Sequence, residues 1–331
     1  MRDLRKALLL LAGMALIVLS LAFACVMTSD AHGVTRDPAV AALVAGVGSH
    51  QSELKVNLER LTGVVAAPVG GQSVLIRTRY ALSGAPVRAA QRYVYERLRA
   101  FGLSSVRYQS YGASVVERNV IGEIRGTERP DQIVVIGAHL DDKPGAGRAP
   151  GADDNAASCS ALLYVAKHLA GRHFARTLRF IFFSGEEVGH LGSSFAARAS
   201  REGGENIVAM LNADMIGSNG RGSHVVEVHR RRLDGSTATR RDLSVSTTFV
   251  RAIAVYRISG IRARDMADGL TWSDHASFWS RGFGAAWVTE DRPLSNPTYH
   301  TRYDTLGNLS WRYYLSVTKA LLATAAHLGR I

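Results

Sequence analysis

The spacing of apolar residues predicts alternating helices and strands over most of the chain. In residues 87–103 they recur at helical spacing and Gly102 follows as a stop, which predicts an amphipathic helix. Residues 132–140 are largely β-branched and apolar, as expected of a strand that is buried on both faces. Further apolar runs predict strands at residues 106–111, 116–124, 177–184, 207–216, 225–228 and 285–289. Helical spacing predicts further helices at residues 156–170, 191–200, 244–256, 274–280 and 313–328. This alternation predicts an α/β fold, a three-layer αβα sandwich with a mixed, largely parallel central sheet.

The N-terminal segment has a different pattern, typical of export. Arg2, Arg5 and Lys6 precede an unbroken apolar or small run over residues 7–27, and Ala22-Phe23-Ala24 matches a signal cleavage site. The run has 21 residues, so an uncleaved form could also span a bilayer.

This pattern predicts three regions. We expect residues 1–27 to be a signal peptide or membrane anchor, residues 28–48 to be a linker, and residues 49–331 to be a single folded domain. The organisation predicts an extracytoplasmic location, secreted or periplasmic, with membrane association through residues 7–27 where they are retained. Cys25 leaves a lipid-modified N-terminus as a third outcome.

Composition and charge narrow the class of protein. Hydrophobic residues make up 47% of the chain, which predicts a globular core rather than a disordered chain. The formal net charge is +12, but no zinc-finger, RNP or helix-turn-helix pattern accompanies it, so we expect no nucleic-acid partner. The densest basic cluster, residues 229–232 with Arg240 and Arg241, is predicted to be a solvated loop. The only cysteines are Cys25 and Cys159, which excludes a disulfide framework.

Candidate chemistry collects where predicted strands end, which is where open α/β sheets hold their ligands. His139 and Asp141 lie two residues apart at the end of the strand at residues 132–140. Their side chains therefore share a face, and Asp141 can accept the imidazole N–H and set its tautomer.

Two further predicted strands end at acidic residues. Glu186 and Glu187 follow the mostly apolar run at residues 178–183, and Asp214 follows another apolar run. Adjacent acids on an exposed turn usually have no special role. At the edge of a core, however, an unpaired charge is costly, which favours a bound metal ion.

Asp153 and Asp154 open the predicted helix at residues 156–170. An acidic residue at a helix start usually caps the helix, which accounts for one of the two. The other could bridge two cations, because a carboxylate offers one oxygen to each. His300 alone would be interpreted as a loop residue, but with His139 it places two imidazoles beside several carboxylates, a ligand set that zinc accepts.

Six ordered motifs carry a family resemblance. They are Gly-Ala-His-Leu-Asp-Asp (137–142), Pro-Gly-Ala-Asp-Asp-Asn-Ala-Ala-Ser (150–158), Ser-Gly-Glu-Glu-Val-Gly-His-Leu-Gly-Ser (184–193), Asn-Ala-Asp-Met-Ile-Gly (212–217), Ser-Asp-His-Ala-Ser-Phe (273–278) and Tyr-His-Thr-Arg-Tyr-Asp-Thr-Leu (299–306). From about residue 85 to 328 the chain resembles metallopeptidase family 28. That group contains co-catalytic di-zinc aminopeptidases, glutamate carboxypeptidases, glutaminyl cyclases and the transferrin-receptor ectodomain.

The resemblance implies two Zn²⁺ ions per chain. Asp154 would be the ligand that bridges them. His139 and Asp214 would complete the site of one ion, and Glu187 and His300 would complete the site of the other.

The resemblance also implies the catalytic roles. Glu186 would act as general base and then as general acid, and Asp141 would orient His139. Asp153 is left without a metal role, consistent with capping.

One segment departs from the pattern of this family, and it concerns the group that would donate a hydrogen bond to the oxyanion formed in the reaction. Aminopeptidases of this group often have a Tyr shortly before Ser-Asp-His that can donate a hydrogen bond to it. Here the segment is Asp-Gly-Leu-Thr-Trp-Ser-Asp-His (268–275), and neither Leu270 nor Trp272 can donate in the same way. Either another donor substitutes or the second zinc carries more of the charge.

The expected function is an extracytoplasmic zinc exopeptidase, most simply an aminopeptidase acting on peptide substrates. Met215, Trp272 and Trp287 are expected to form the walls around the substrate side chain. The alternatives on the same site are a carboxypeptidase, an aminoacylase or a mono-zinc glutaminyl cyclase. A non-catalytic receptor module is disfavoured because every ligand and the base are present.

Overall fold

The computed structural model describes residues 33–112, 118–143, 150–220 and 222–331. Residues 36–331 form one compact unit. The predicted signal peptide or anchor, residues 1–27, lies outside the described residues, and so does Cys25. Within the described ranges, no helix is both long enough and apolar enough to cross a membrane.

Helices and strands alternate along most of the described chain. The helices are α1 (Pro38–Ser49), α2 (Gln51–Leu61), α3 (Ala85–Ala100), α4 (Ser158–Leu169), α5 (Leu191–Glu202), α6 (Thr237–Val255), α7 (His275–Trp279) and α8 (Trp311–Gly329). The strands are β1 (Ala67–Val69), β2 (Gln72–Val74), β3 (Ser105–Ser110), β4 (Arg118–Ile124), β5 (Arg129–His139), β6 (Arg176–Phe183), β7 (Asn206–Ala213), β8 (Val225–His229), β9 (Arg262–Met266) and β10 (Ala285–Glu290).

The prediction of a linker over residues 28–48 is wrong for its second half, because α1 begins at Pro38. Asp37 caps this helix by accepting the N–H of Val40 at 2.9 Å, and Pro suits the first helical position. Its buried residues recur at helical spacing and the helix packs against α8; they are Val40, Leu43, Val44 and Val47. The folded unit therefore begins earlier than the predicted boundary at residue 49.

In the described residues, eight strands form one sheet in the order β3-β4-β6-β5-β7-β10-β8-β9. β5 is parallel to β6 and β7, and β10 is parallel to β7. β4 and β8 run antiparallel to β6 and β10. The prediction of an α/β fold with a mixed, largely parallel sheet is confirmed. Because β6, β5 and β7 are adjacent and parallel, their carboxyl ends meet at one edge.

Helices cover both faces of this sheet. Ile181 and Phe183 of β6 belong to a buried cluster that includes Ala196 of α5. Alternate residues of a strand point to opposite faces. On the opposite face, Leu178 lies so close to α8 that a Cβ added to Gly329 would be 2.9 Å from its side chain.

Two differences from the predicted element boundaries change the placement of particular residues. The strand predicted at residues 207–216 ends at Ala213, so Asp214 follows β7 rather than lying within it. The helix predicted from residue 244 begins at Thr237. Arg240 and Arg241 are therefore helical, and the prediction that they lie in a loop is wrong.

Candidate metal centre

Three adjacent strands deliver predicted site residues to one edge of the sheet. His139 is the last residue of β5, Glu186 and Glu187 lie in the turn after β6, and Asp214 directly follows β7. The residues thus come from the strand ends at which the sequence predicted them.

Asp154 reaches this edge through a non-helical turn that precedes α4. Asp154 and Asn155 have φ values of −105° and −138°, and the peptide bond between them is cis. Asn155 Nδ2 donates to the carbonyl of Ala213 at 3.1 Å, and Asn155 Oδ1 accepts the N–H of Met215 at 3.3 Å. Asn155 therefore fastens the turn to the two residues that flank Asp214.

Asp153 does not cap the following helix, contrary to the expectation. In the described residues, no side-chain hydrogen bond caps the start of α4. Asp153 Oδ1 instead accepts the N–H of Gly217 at 2.6 Å, and its Oδ2 accepts Nδ2 of Asn296 at 3.1 Å. Asp304 in turn accepts the N–H groups of Asp153 and Asp154, each at 2.9 Å. The turn is thereby joined to the loop after β7 and to the segment that carries His300.

The two oxygens of Asp154 face different imidazoles. Oδ1 lies 3.2 Å from Nε2 of His139, and Oδ2 lies 3.3 Å from Nε2 of His300. Nε2 of His139 is also 3.1 Å from Asp214 Oδ1, and Nε2 of His300 is 2.9 Å from Glu187 Oε2. Two sets of potential ligands therefore share Asp154, and within each set the ligand atoms lie within 4.8 Å of one another.

Burial and mutual charge shift the pKa values of this cluster. Burial raises the pKa of Glu187 to about 9, and the charge of Asp154 adds to the effect. Burial likewise raises the pKa of Glu186 to about 8. Burial alone would lower the pKa of His300, but hydrogen bonds with Asp154 and Glu187 outweigh it and raise the pKa to about 9. A divalent cation would replace these protons, because metal ligands bind in their deprotonated forms.

An unpartnered oxygen supports the fit of a metal ion. Glu187 Oε1 is buried and has no hydrogen-bond partner among the described residues, although buried polar atoms ordinarily have one. Imidazole nitrogens and carboxylate oxygens are ligands that zinc accepts. The residues therefore fit zinc, and the predicted ligands all lie in the two sets that share Asp154: His139, Asp154, Glu187, Asp214 and His300.

Glu186 lies beside the cluster, with Oε1 3.1 Å from Nε2 of His190. The N–H groups of Glu186 and Glu187 donate to the carboxylate of Asp141 at 3.2 and 3.3 Å. We expected this carboxylate to receive the ring N–H of His139. Instead the main-chain carbonyl of Asp141 lies 3.1 Å from His139 Nδ1, while the carboxylate accepts the N–H groups of Glu186 and Glu187.

Arg79 is a residue of the site's framework that the sequence interpretation missed. Its side chain is fully buried and lies 3.6 Å from Asp142. It donates at 2.7 to 2.8 Å to four main-chain carbonyls, those of Leu61, Leu140, Pro150 and Gly151. These bonds join α2 to the end of β5 and to the segment that leads into the Asp154 turn. No sequence signal marks it, because an isolated Arg is usually exposed.

A cleft opens over the cluster. Its lining includes the three expected walls, Met215, Trp272 and Trp287, and two further residues, Leu294 and Tyr299. The ring of Tyr299 stacks on that of His300 with centroids 3.7 Å apart. Burial raises the pKa of Tyr299, and the negative charge of Asp154 raises it further. Tyr299 lines the same cleft as Asp154, Glu186 and Glu187, and its position next to His300 was the signal that could have identified it.

The fold and this arrangement of ligands agree with a family match. The sequence pattern of peptidase family M28 matches residues 119–325, and the chain belongs to this family. The resemblance deduced from the motifs is confirmed.

Several proteins similar to this chain are named aminopeptidases. Leucine aminopeptidase 1 of Arthroderma otae is 32% identical over 240 residues, which cover 66% of this chain and 62% of that relative. The LapA aminopeptidase of Legionella pneumophila has the same fold, with a TM-score of 0.74 at 21% identity over 92% of this chain and 78% of that chain. BSAP, a zinc aminopeptidase from Bacillus subtilis, has a TM-score of 0.53 at 25% identity, covering 65% and 50%. The chain spans less than two thirds of the length of the curated relatives.

Proposed function

We propose that this chain is a zinc-dependent aminopeptidase that holds two Zn²⁺ ions and removes N-terminal residues from peptides. The observation that carries the proposal is the division of Asp154 between two ligand sets, with its oxygens 3.2 and 3.3 Å from two different imidazoles. A bridging carboxylate requires this arrangement. The relatives named leucine aminopeptidases support the reaction.

In this proposal Glu186 moves the proton. When bound, the zinc ions would acidify the attacking water and polarise the scissile carbonyl. Glu186 lies outside the two ligand sets that share Asp154, although it forms a third possible set with His139 and Glu187. Because Glu186 is assigned no metal ion in this proposal, its carboxylate is available to accept a proton and return it to the leaving amine. His190 orients that carboxylate through the 3.1 Å contact, and Asp141 holds the turn by accepting its N–H groups.

The cleft suits a substrate with an apolar N-terminal side chain. Trp272 and Leu294 are 48% and 56% exposed at its mouth, while Met215 and Trp287 are buried beside the ligands. Such walls favour leucyl or phenylalanyl substrates over aspartyl ones, because an aspartyl carboxylate would lose its hydration against an apolar surface that offers it no partner.

The purified chain is expected to contain two zinc ions and to lose activity on chelation. Elemental analysis would measure the metal, and a panel of aminoacyl, acyl-amino-acid and N-terminal glutaminyl substrates would measure the reaction. One tightly held zinc in a chain that cyclises N-terminal Gln would instead indicate a glutaminyl cyclase. Hydrolysis confined to the acylated substrates would indicate an aminoacylase or carboxypeptidase.

We propose that Tyr299 supplies the oxyanion donor in place of the Tyr that is missing before Ser273. Tyr299→Phe is expected to lower kcat by about a hundredfold, the usual effect of removing one such donor. Zinc content should be unchanged, because the ring and its stacking on His300 remain. Steady-state kinetics would test this, with Tyr303→Phe as the matched control on an exposed tyrosine. An unchanged kcat in Tyr299→Phe would indicate that the second zinc, and not Tyr299, stabilises the negative charge of the oxyanion.

We also propose that the chain acts outside the cytoplasm, with residues 1–27 as its export signal or anchor. The basic start, the apolar run at residues 7–27 and the Ala22-Phe23-Ala24 site support this. Cell fractionation should find the chain outside the cytoplasm, and a membrane-bound full-length form would indicate a retained anchor. Full-length chain found in the soluble cytoplasmic fraction would refute the proposal.

A further inference from the structure

A cavity of about 210 Å³ lies between α2, α3 and α4, and its lining residues are distinct from those of the metal centre. Three basic side chains and one carboxylate line it. Lys167 Nζ lies 2.8 Å from Glu53 Oε2, so this carboxylate is matched by its own cation. The positive charges of Arg60 and Arg97 are left in excess.

Arg97 has an unsatisfied donor. Its Nε is buried and has no hydrogen-bond partner among the described residues. Its guanidinium lies 5.2 Å from the centroid of the Phe101 ring, a contact that satisfies no N–H group. Arg60 donates to the hydroxyl of Tyr93 at 3.4 Å. Within the described part of the chain, neither arginine forms an ion pair.

A second donor of the same cavity is also unsatisfied. Tyr164 is 1% exposed, and its hydroxyl has no partner in the described residues. Leaving a buried donor without an acceptor is costly, so native structures rarely do so. Two such donors beside an excess of positive charge indicate a ligand that is negative and carries oxygen.

We propose that this cavity binds a small oxyanion, either a phosphate or a carboxylate group. Its oxygens would accept hydrogen bonds from Arg97 and Tyr164, and Arg60 would balance its charge. The planar guanidinium suits both groups, because it can donate two parallel hydrogen bonds to them. The site is independent of the proposed peptidase reaction.

Isothermal titration calorimetry of the full-length chain tests the proposal. One arm uses inorganic phosphate and the other uses acetate, both at constant ionic strength. Saturable binding of at least one anion at millimolar concentration or below is expected. Arg97→Leu should weaken this binding at least about tenfold, because a charge-assisted hydrogen bond is lost. Arg99→Leu, an exposed position on the same helix, should keep the affinity of the unmodified chain.

Tyr164→Phe gives a second, independent comparison. Stability without the anion should not fall, since an unpartnered hydroxyl is removed, whereas anion affinity should fall.

An anion held at the metal ligands would bind equally to Arg97→Leu and Arg99→Leu, and that result would overturn the proposal. Absence of saturable binding in both arms would also overturn it. If Arg97→Leu fails to fold, Arg97→Lys makes the same comparison, because lysine keeps the positive charge but lacks the two parallel donors of the guanidinium.

Discussion

Glu186→Gln is expected to lower kcat at least about a hundredfold, within the range for loss of a general acid-base. Folding and zinc content should stay nearly unchanged. The amide keeps the shape of the side chain and can keep the contact with His190, 3.1 Å away. It has no basic oxygen to accept the proton of the attacking water. Kinetics at saturating substrate, with elemental analysis of the same sample, would measure both quantities.

Glu187→Gln is the matched control and should behave differently. Glu187 Oε2 lies 2.9 Å from Nε2 of His300, within a ligand set, so zinc affinity is expected to fall. If Glu186→Gln lost a zinc while Glu187→Gln kept both, the two roles would have to be exchanged. Full activity in both variants would show that the site is assigned to the wrong residues.

Arg79→Met is expected to lower the free energy of unfolding by about 3–5 kcal/mol, the usual cost of removing one partner of a buried ion pair. Four buried carbonyls would lose their donor, and Asp142 would lose its neighbouring cation. Burial already raises the pKa of Asp142 to about 7 beside Arg79. Denaturant unfolding of the zinc-free chain would measure the loss without a contribution from metal binding.

Arg99→Met provides the comparison for this effect. Arg99 is exposed on α3, so its removal should change the free energy of unfolding by no more than about 0.5 kcal/mol. A similar small change in Arg79→Met would contradict the role assigned to its hydrogen bonds. A lower zinc affinity in Arg79→Met alone would show that the Pro150–Gly151 segment positions Asp154.

The parts of the fold that bury apolar surface were predictable. Residues 132–140 carry apolar side chains for both faces, and β5 occupies residues 129–139 in the centre of the sheet. The edge strand β9 has the sequence Arg-Ala-Arg-Asp-Met and is partly exposed. It was not predicted, because a solvated edge has no apolar alternation that would reveal it. α1 was missed because its composition of small residues resembles a linker.

The candidate site was also predictable only in part. The motifs indicated that His139, Asp154 and His300 would be ligands, and the structure brings their side chains together. The role of Asp153 was wrongly predicted, because its acceptors are filled by the loop after β7 and by Asn296. A helix start in the sequence looks the same whether the acid caps that helix or binds a distant segment.

The sequence by itself determined the fold class, the edge of the sheet that bears the chemistry and the residue types that suit zinc. Apolar periodicity and ligand chemistry are local properties, so they can be identified one segment at a time. Only the tertiary structure decided that the two oxygens of Asp154 face different imidazoles and that Arg79 supports the turn. Those features depend on contacts between distant residues, such as Arg79 with Gly151, 72 positions away. Packing alone brings such pairs together.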